Sequence, residues 1–401
     1  MVTTTLSYAD SRYRASTGEG YDGVVRVSIN GFYGTGALLY DGMAILTAAH
    51  LFEGTSGTAE LSFETVGGMR TLQASRFLVH PDYDPVDGNN DLALVWLQSS
   101  APTTANRYQL VRTGDEIGKS FTMVGYGLVG TGASGSSESN TSNPLRLKAQ
   151  NRFDADAHKL KTFLGSQMDW DPTSGTQLVA DFDDGSYAHD ALGRLIVKPG
   201  TGLGSNEGLI APGDSGGPAF ISGQIAGVAS YTASLSRGDI NPDIDELINS
   251  SFGEIAAWQR MSFYQQWIDQ SLRAALPNAP SRPQDVVTAV PEGHSGTSYA
   301  YFLLQFTGVR SDPSQVLSVS YATRDGTAQA GSDYIAASGR LNLYPGENQA
   351  AIPVEIIGDR IDESDEDFYL DVFDPIGGSF GTGVVKLTAV RTIVDDDPAL
   401  S

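Results

Sequence analysis

Ala211-Pro212-Gly213-Asp214-Ser215-Gly216-Gly217-Pro218 places one hydroxyl group, that of Ser215, among small and turn-forming residues. A loop of this composition can present a side chain at a surface, and its glycines adopt backbone angles that other residues resist. The backbone amides of Gly213 and Ser215 can then point to a common position and stabilise a developing oxyanion. An ordinary glycine-rich turn is the competing interpretation of this stretch taken alone.

Two earlier stretches supply the other groups that hydroxyl attack on a carbonyl requires. His50 follows Thr47-Ala48-Ala49 at the end of a predicted strand, and Asp91 precedes the apolar alternation of Leu92-Ala93-Leu94. A carboxylate shielded from water at that position holds an imidazole in one tautomer and stabilises its protonated form. A structural or solvated histidine and an aspartate that caps a strand are the alternatives for each residue by itself.

Composition predicts a globular chain with two mostly β domains. Of the 401 residues, 40% are hydrophobic and 18% are charged, and short β-favouring runs lie between turn-forming clusters. The net charge of −23 argues against nucleic acid and anionic membrane surfaces as partners and suits divalent cations. The chain has no cysteine, so no disulfide supports the fold. No apolar run reaches membrane-spanning length.

The domain boundaries follow from a proline-rich stretch and a helical pattern. Phe263, Trp267 and Ile268 recur at helical spacing and predict an amphipathic helix over 262–272 that closes the first domain. Pro277 and Pro280 lie in a predicted linker. Residues 130–143 are predicted to form a Gly/Ser-rich loop, and residues 164–208 are left without a detailed assignment. The predicted segments are a leader or propeptide over 1–12, a first domain over 13–273, a linker over 274–283 and a second domain over 284–401.

The motifs Thr-Ala-Ala-His, Asn-Asp-Leu-Ala-Leu and Gly-Asp-Ser-Gly-Gly-Pro occur once each and in this order. With them, residues 13–272 resemble the chymotrypsin/trypsin family of serine endopeptidases. The resemblance implies an all-β, trypsin-like double β-barrel with six strands in each barrel, a C-terminal helix, and the active site between the barrels. It implies that His50 is the general base, Asp91 its orienting acid and Ser215 the nucleophile, with the amides of Gly213 and Ser215 as the oxyanion hole.

The sequence departs from the family at its cysteines and at its amino terminus. Leu51 and Ala211 stand where the family has cysteines. The family pairs a freed aliphatic amino terminus with the aspartate before the nucleophile, which is Asp214 in this sequence. No Ile-Val-Gly-Gly start is present. We therefore expect residues 1–12 to be a propeptide or a disordered leader, with cleavage after Arg12 to free Tyr13.

The resemblance also indicates which residues shape the specificity pocket. By motif spacing, Leu209 lies at its base, where trypsin-like members carry an acidic residue, and Ser230, Thr232 and Ala256 lie near its walls. Without a carboxylate, nothing offsets the cost of desolvating an arginine or lysine side chain. The sequence therefore predicts cleavage after small or aliphatic residues.

The second domain carries acidic clusters at 359–367 and 395–397. A solvated acidic face is the common fate of such runs, but calcium, which takes six to eight oxygen ligands, also suits this composition. Residues 283–397 resemble a Calx-beta domain, a β-sandwich, at 292–297, 325–328, 331–334, 345–347 and 362–368. Gly358 departs from calcium-binding members that carry a further aspartate. The resemblance implies as calcium ligands Glu292, Asp333, Asp359, the Ile361 carbonyl, Glu363, Glu366, Asp395, Asp396 and Asp397.

Together these features predict an exported, bacterial-type serine endopeptidase with a calcium-binding accessory domain. Its partners are expected to be protein or peptide substrates, with neither nucleic acid nor a membrane span. Residues 1–6 lack the pattern of a signal peptide, so either the chain is cytosolic or its signal peptide has been removed. The predicted location is secreted, periplasmic or cell-surface, with the signal peptide not present in this chain. The alternatives are a catalytically idle protease fold that acts as a calcium-dependent adhesion module, and an esterase or transferase that uses the same triad.

Overall fold

In the computed structural model of the chain, residues 2–55, 57–137 and 145–397 are described. The chain divides into two units, one formed by residues 1–39 and 43–265 and the other by residues 40–42 and 266–401. The division falls inside the last helix of the first predicted domain, ahead of the predicted linker over 274–283. No helix in the described ranges has the length and apolarity needed to cross a membrane.

The first half of the first unit is a closed barrel. In its first strand, buried and partly exposed residues alternate over 25–29, so that Val25, Val27 and Ile29 face the core. After the short strand β1 (Val2–Thr4), which is not part of the barrel, the barrel strands are β2 (Val24–Ile29), β3 (Phe32–Leu38), β4 (Ala44–Thr47), β5 (Glu60–Thr65), β6 (Gly68–Val79) and β7 (Ala93–Leu97). The six strands β2 to β7 close antiparallel in the order β2-β3-β4-β7-β6-β5.

The second half of the unit is a half-barrel rather than a second closed barrel. It contains β8 (Ser120–Gly125), β9 (Val129–Thr131), β10 (Gly135–Ser137), β11 (Leu147–Arg152), β12 (Ala155–Asp156), β13 (Gln177–Asp181), β14 (Gly208–Ile210), β15 (Pro218–Ile221), β16 (Gln224–Ala233) and β17 (Ile255–Arg260). Seven strands form one sheet in the order β11-β8-β15-β16-β17-β13-β12, and β10-β9-β1-β14 form another. The rings of Phe121 and Phe153 stack at 4.0 Å in the core, with Trp258 edge-on to both.

The amino-terminal residues are part of this half-barrel. Val2–Thr4 pairs antiparallel with β14 and parallel with β9, and its three side chains are fully buried. A disordered leader therefore does not describe these three residues, because their backbone groups are paired in a sheet. Removal of residues 1–12 as a propeptide stays a prediction.

Three helices complete the first unit or lead out of it: α1 (Ala157–Leu164), α2 (Ala191–Ile196) and α3 (Met261–Ala275). The sequence predicted neither α1 nor α2. The loop predicted over 130–143 contains the short strand β10, and its residues 138–143 lie outside the described ranges. Aspartate side chains cap both, with Asp156 accepting the His158 N–H and Asp190 accepting the Gly193 N–H. The predicted helix over 262–272 is confirmed, but Phe263 is 53% exposed while Tyr264 is buried.

The second unit contains the predicted β-sandwich. Its strands are β18 (Ala289–Pro291), β19 (Thr297–Gln305), β20 (Leu317–Asp325), β21 (Ser338–Leu343), β22 (Gln349–Ile357), β23 (Glu366–Ile376) and β24 (Lys386–Val394). A five-stranded sheet in the order β18-β24-β23-β20-β21 is accompanied by the pair β19-β22. Buried aromatic residues from different strands and loops, among them Phe302, Tyr334 and Phe368, meet in one core.

A buried ion pair ties distant parts of the first unit together. Arg146 and Asp22 are almost completely buried, and Nη2 of Arg146 lies 3.0 Å from Oδ1 of Asp22. The Arg146 guanidinium also donates to the carbonyl oxygens of Ala15 and Glu64. Such a pair is costly to break from one side, because the remaining charge stays buried without a partner.

Arg146→Met is therefore expected to lower the free energy of unfolding of the first unit by about 3–5 kcal/mol. The matched double variant D22N/R146M removes both charges and should recover a large part of this loss. Chemical denaturation of the full chain, followed by tryptophan fluorescence, measures both effects. An R146M protein as stable as the parent would show that this pair does not hold the fold together.

Candidate active site and candidate calcium site

His50 is held in place by the buried carboxylate of Asp91. It lies in a short 3-10 turn directly after β4, and Asp91 is only 2% exposed. Oδ2 of Asp91 lies 2.8 Å from Nδ1 of His50, while Oδ1 accepts the backbone N–H of His50 at 2.9 Å. The hydroxyl of Ser230 also donates to Oδ2, at 2.6 Å. Both carboxylate oxygens of Asp91 therefore take part in hydrogen bonds. The imidazole of His50 is held through Nδ1, which leaves Nε2 as the nitrogen that does not contact Asp91.

The protonation of His50 is set by two opposing effects. Burial lowers its pKa, but the hydrogen bond and the negative charge of Asp91 outweigh burial, so the pKa lies above the usual 6.5. An imidazole held in this way accepts a proton readily and is stabilised once charged. This is the property that a general base requires.

The loop around Ser215 keeps two backbone donors unused. Gly213 and Gly216 have φ angles of +94° and +81°, which disfavour any other residue. In the described part of the chain, the N–H groups of Gly213 and Ser215 donate to no protein acceptor. The neighbouring amides do have acceptors: those of Asp214, Gly216 and Gly217 donate to the carbonyl oxygens of Ala211, Ala229 and Asp214 at 2.8, 2.8 and 2.7 Å. The two unused N–H groups belong to the residues predicted to form an oxyanion hole.

Thr35 of β3 joins the Ser215 loop to the segment that carries His50. Its N–H donates to the carbonyl of Ser215 at 2.8 Å, and its carbonyl accepts the hydroxyl of Thr47 at 2.7 Å. Its own hydroxyl donates to the carbonyl of Gly213 at 2.9 Å. The sequence did not indicate a role for Thr35. Its one distinctive feature there is that it lies between two glycines of a strand.

The carboxylate of Asp214 is buried beneath the same loop. Its two oxygens accept the N–H groups of Gly127 and Ala211, each at 2.9 Å. Burial raises the pKa of Asp214 to about 6. Asp214 therefore anchors the loop from inside the half-barrel.

The four residues predicted to shape the specificity pocket separate into two pairs. Ser230 and Thr232 line a cleft of about 430 Å³ together with His50. Leu209 and Ala256 are fully buried and pack in the core of the half-barrel. Motif spacing gave the position of each residue along its strand but not its degree of burial.

Aromatic residues that the sequence did not single out line the same cleft. Trp170 and Tyr231 meet edge to face at 5.7 Å, and Nε1 of Trp170 donates to the Tyr231 hydroxyl at 3.0 Å. That hydroxyl donates in turn to Gln177 at 2.7 Å. Tyr231 directly follows Ser230 in the sequence, whereas Trp170 lies in the unassigned segment and had no recognisable signal.

Three of the predicted calcium ligands come together in the second unit. Asp333, Glu363 and Glu366 each offer a carboxylate oxygen within 4.8 Å of the others. Burial, followed by the hydrogen bond to Asp333 and nearby negative charges, raises the pKa of Glu366 to about 7. Burial and the charges of surrounding carboxylates also raise the pKa of Glu292 to about 7. Oxygen donors crowded in this way suit a hard cation such as calcium.

Others of the predicted ligands are connected to one another and to Glu363 by hydrogen bonds from backbone N–H groups to carboxylate oxygens. Glu292 accepts the N–H of Asp359 at 3.2 Å, Asp359 accepts that of Ile361 at 2.7 Å, and Asp395 accepts that of Glu363 at 3.3 Å. Asp396 and Asp397 have different neighbours. Asp396 accepts the N–H of Gly293 at 3.0 Å, and Asp397 lies 2.7 Å from Nδ1 of His294, a pairing that the sequence did not predict.

Family models match both halves of the chain. The model described as trypsin matches residues 12–163, a range that contains His50 and Asp91, while Ser215 lies beyond it. The model described as Calx-beta domain matches residues 305–397. Among solved structures, the chain is similar to neuropsin, a serine protease expressed in the limbic system of mouse brain. The TM-score is 0.46 and the identity 16%, with 65% of this chain and 98% of that one covered.

Two curated relatives are similar to less than a quarter of this chain. The sodium/calcium exchanger Calx of Drosophila melanogaster is 40% identical over 90 residues, which is 22% of this chain and 9% of that protein. Human sodium/calcium exchanger 2 is 38% identical over 110 residues, covering 24% of this chain and 12% of that protein. The chain thus spans about a tenth of the length of these relatives.

The geometry of His50 predicts a titration that depends on Asp91. In the parent chain His50 should titrate above 6.5, and Asp91→Asn should lower its pKa because the compensating charge is lost while burial remains. Imidazole NMR signals recorded across pH 4–9 measure this shift. His80, whose pKa burial lowers, serves as the internal control and should titrate alike in both proteins. An unchanged His50 in D91N would show that the carboxylate does not set its protonation.

Proposed function

Because residues 12–163 belong to the trypsin family and residues 305–397 form a Calx-beta domain, we propose that this chain is a serine endopeptidase with a calcium-binding accessory domain. The observation that carries the proposal is the buried Asp91 carboxylate, which holds His50 through both of its oxygens. The two unused N–H groups of the Ser215 loop support it independently. A location outside the cytoplasm is part of the proposal.

The proposed reaction is acyl transfer through Ser215. His50 accepts the hydroxyl proton through Nε2 as Oγ of Ser215 bonds to the carbonyl carbon of the scissile peptide. The negative charge that develops on the carbonyl oxygen is stabilised by the N–H groups of Gly213 and Ser215. His50 then gives its proton to the leaving amine, so that the C–N bond breaks and an ester on Ser215 remains. A water molecule, deprotonated by His50, hydrolyses this ester and restores the hydroxyl.

Asp91 contributes by position and charge. It keeps the proton on Nδ1, so that Nε2 is free to act as the base, and it stabilises the imidazolium formed in each half of the reaction. The Ser230 hydroxyl, 2.6 Å from the same oxygen, fixes the carboxylate in the orientation that this role needs. An idle protease fold has no chemical requirement for a buried carboxylate aligned on a histidine.

The substrate preference is proposed to be a peptide with a small or aliphatic residue before the scissile bond. By motif spacing, Leu209 takes the place of the acidic residue that trypsin-like members carry, although its side chain is buried in the core of the half-barrel. Burying an unpaired cation is costly. The cleft beside His50, with Trp170 and Tyr231 in its wall, offers apolar surface for a neighbouring side chain of the substrate.

The second unit is proposed to bind calcium through Asp333, Glu363 and Glu366, with Glu292, Asp359 and Asp395 close to the ion. These carboxylates repel one another when no cation is present, which is consistent with the raised pKa of Glu366 and Glu292. Binding to the folded form stabilises it by mass action.

Peptide-library cleavage tests the proposed activity. The full chain should cleave after small or aliphatic residues, and Ser215→Ala should lower kcat at least about 10⁴-fold, since the residual rate comes from binding alone. Ser174→Ala, a change at an exposed serine of the same unit, is the matched control and should keep full activity. A folded parent chain that cleaves no peptide would favour the idle adhesion module. Cleavage that persists in S215A would exclude the proposed nucleophile.

Hydrogen exchange locates the proposed calcium site. Calcium should slow exchange in peptides covering residues 328–370 of the parent chain, and Glu366→Gln should weaken the apparent affinity roughly tenfold or more, because one charged ligand is lost. Asp312→Asn, at an exposed aspartate of the same unit, should respond to calcium as the parent does. Equal protection of this segment with and without millimolar calcium would contradict the assignment.

A further inference from the structure

A second group of carboxylates lies inside the first unit, separate in sequence from the triad and from the Calx-beta domain. Asp181, Asp183 and Asp190 are 3%, 4% and 1% exposed, and each offers an oxygen within 4.8 Å of the others. Asp181 ends β13, Asp190 caps α2, and Asp183 lies on the loop between them. Burial of three like charges at this distance is unfavourable unless something compensates them.

Backbone N–H groups donate hydrogen bonds to two of the three carboxylates, while one oxygen of the third has no hydrogen-bond donor. Asp181 accepts the N–H of Leu192 at 2.6 Å, and Asp190 accepts those of Gly193 and Gly200 at 2.7 and 3.2 Å. Oδ1 of Asp183, by contrast, is buried and has no hydrogen-bond partner in the described part of the chain. A buried acceptor without a donor costs free energy, and a bound cation is one group that satisfies it.

The nearby charges neutralise this group only in part, since the charge of Arg152 acts on Asp181 and Asp183 as well as on Asp154. Arg152 donates to Asp154 at 2.7 Å and so compensates that carboxylate. Glu207, fully buried, accepts the backbone N–H of Asp183 at 3.0 Å and adds a further negative group. The surroundings therefore favour either a proton or a metal ion on these oxygens.

We propose that Asp181, Asp183 and Asp190 bind a hard divalent cation of the calcium class. The donors are all carboxylate oxygens, and hard oxygen donors select calcium or magnesium over the metals that prefer imidazole or thiolate. Calcium tolerates irregular geometry and can add backbone carbonyls or water to three carboxylates, whereas magnesium demands near-octahedral coordination. The ion joins the end of β13 to the start of α2, two elements of a chain that has no disulfide.

Counting bound ions tests the proposal without relying on catalysis. In a D333N/E366Q background, which weakens the candidate site of the second unit, native mass spectrometry of the full chain in calcium should show one remaining ion. Adding Asp183→Asn should remove that ion. Asp184→Asn, an exposed neighbour in the same loop, is the matched control and should keep it. The same ion count in D183N and D184N would overturn the proposal.

A second measurement needs no substitution in the group and so does not depend on how a variant folds. Hydrogen exchange of the parent chain should be slower in peptides covering residues 181–200 when calcium replaces a chelator. Magnesium at the same concentration should protect this segment less. Identical exchange in calcium and in chelator would show that the three carboxylates carry protons instead of a cation, and would overturn the proposal.

Discussion

The hydrogen bonds of Thr35 are the constraint on which the candidate active site depends. Thr35 belongs to a closed barrel and is fully buried, so its position is fixed by the first half of the unit. From there it holds the carbonyls of Gly213 and Ser215, which belong to the second half, and the hydroxyl of Thr47, which precedes His50. A Cβ on Gly216 would lie 2.1 Å from that hydroxyl, so this close approach requires glycine.

Packing and buried polar contacts stabilise this fold, which contains no cysteine. The Leu51 side chain fills the space next to Gly34, where a Cβ would lie 2.5 Å from Cδ1 of the leucine. The stacked rings of Phe121 and Phe153 form the centre of the half-barrel. A cysteine-free chain of this kind does not depend on an oxidising compartment to fold, and buried ion pairs or a bound cation can cross-link its loops instead.

The sequence predicted features that depend on local pattern. Short β-favouring runs between turn-forming clusters indicated a mostly β fold, and three motifs in a fixed order pointed to His50, Asp91 and Ser215. The sequence did not predict β1, because three residues are too few to show a periodicity. It also did not predict the burial of Leu209, because the spacing of motifs does not determine which side chains reach a cleft. Asp181 and Asp190 lie close together because of the path that the backbone takes through residues 164–208. No pattern along the sequence predicts such a contact.

Reaction of the full chain with a fluorophosphonate, followed by peptide mapping, tests most directly whether Ser215 is a nucleophile activated by His50. One adduct on Ser215 is the predicted result. It should form at least about 10³-fold more slowly in His50→Ala, because the base that removes the hydroxyl proton is gone. No adduct on the folded parent chain, or an adduct on Ser215 that forms equally fast without His50, would contradict the proposed chemistry of this site.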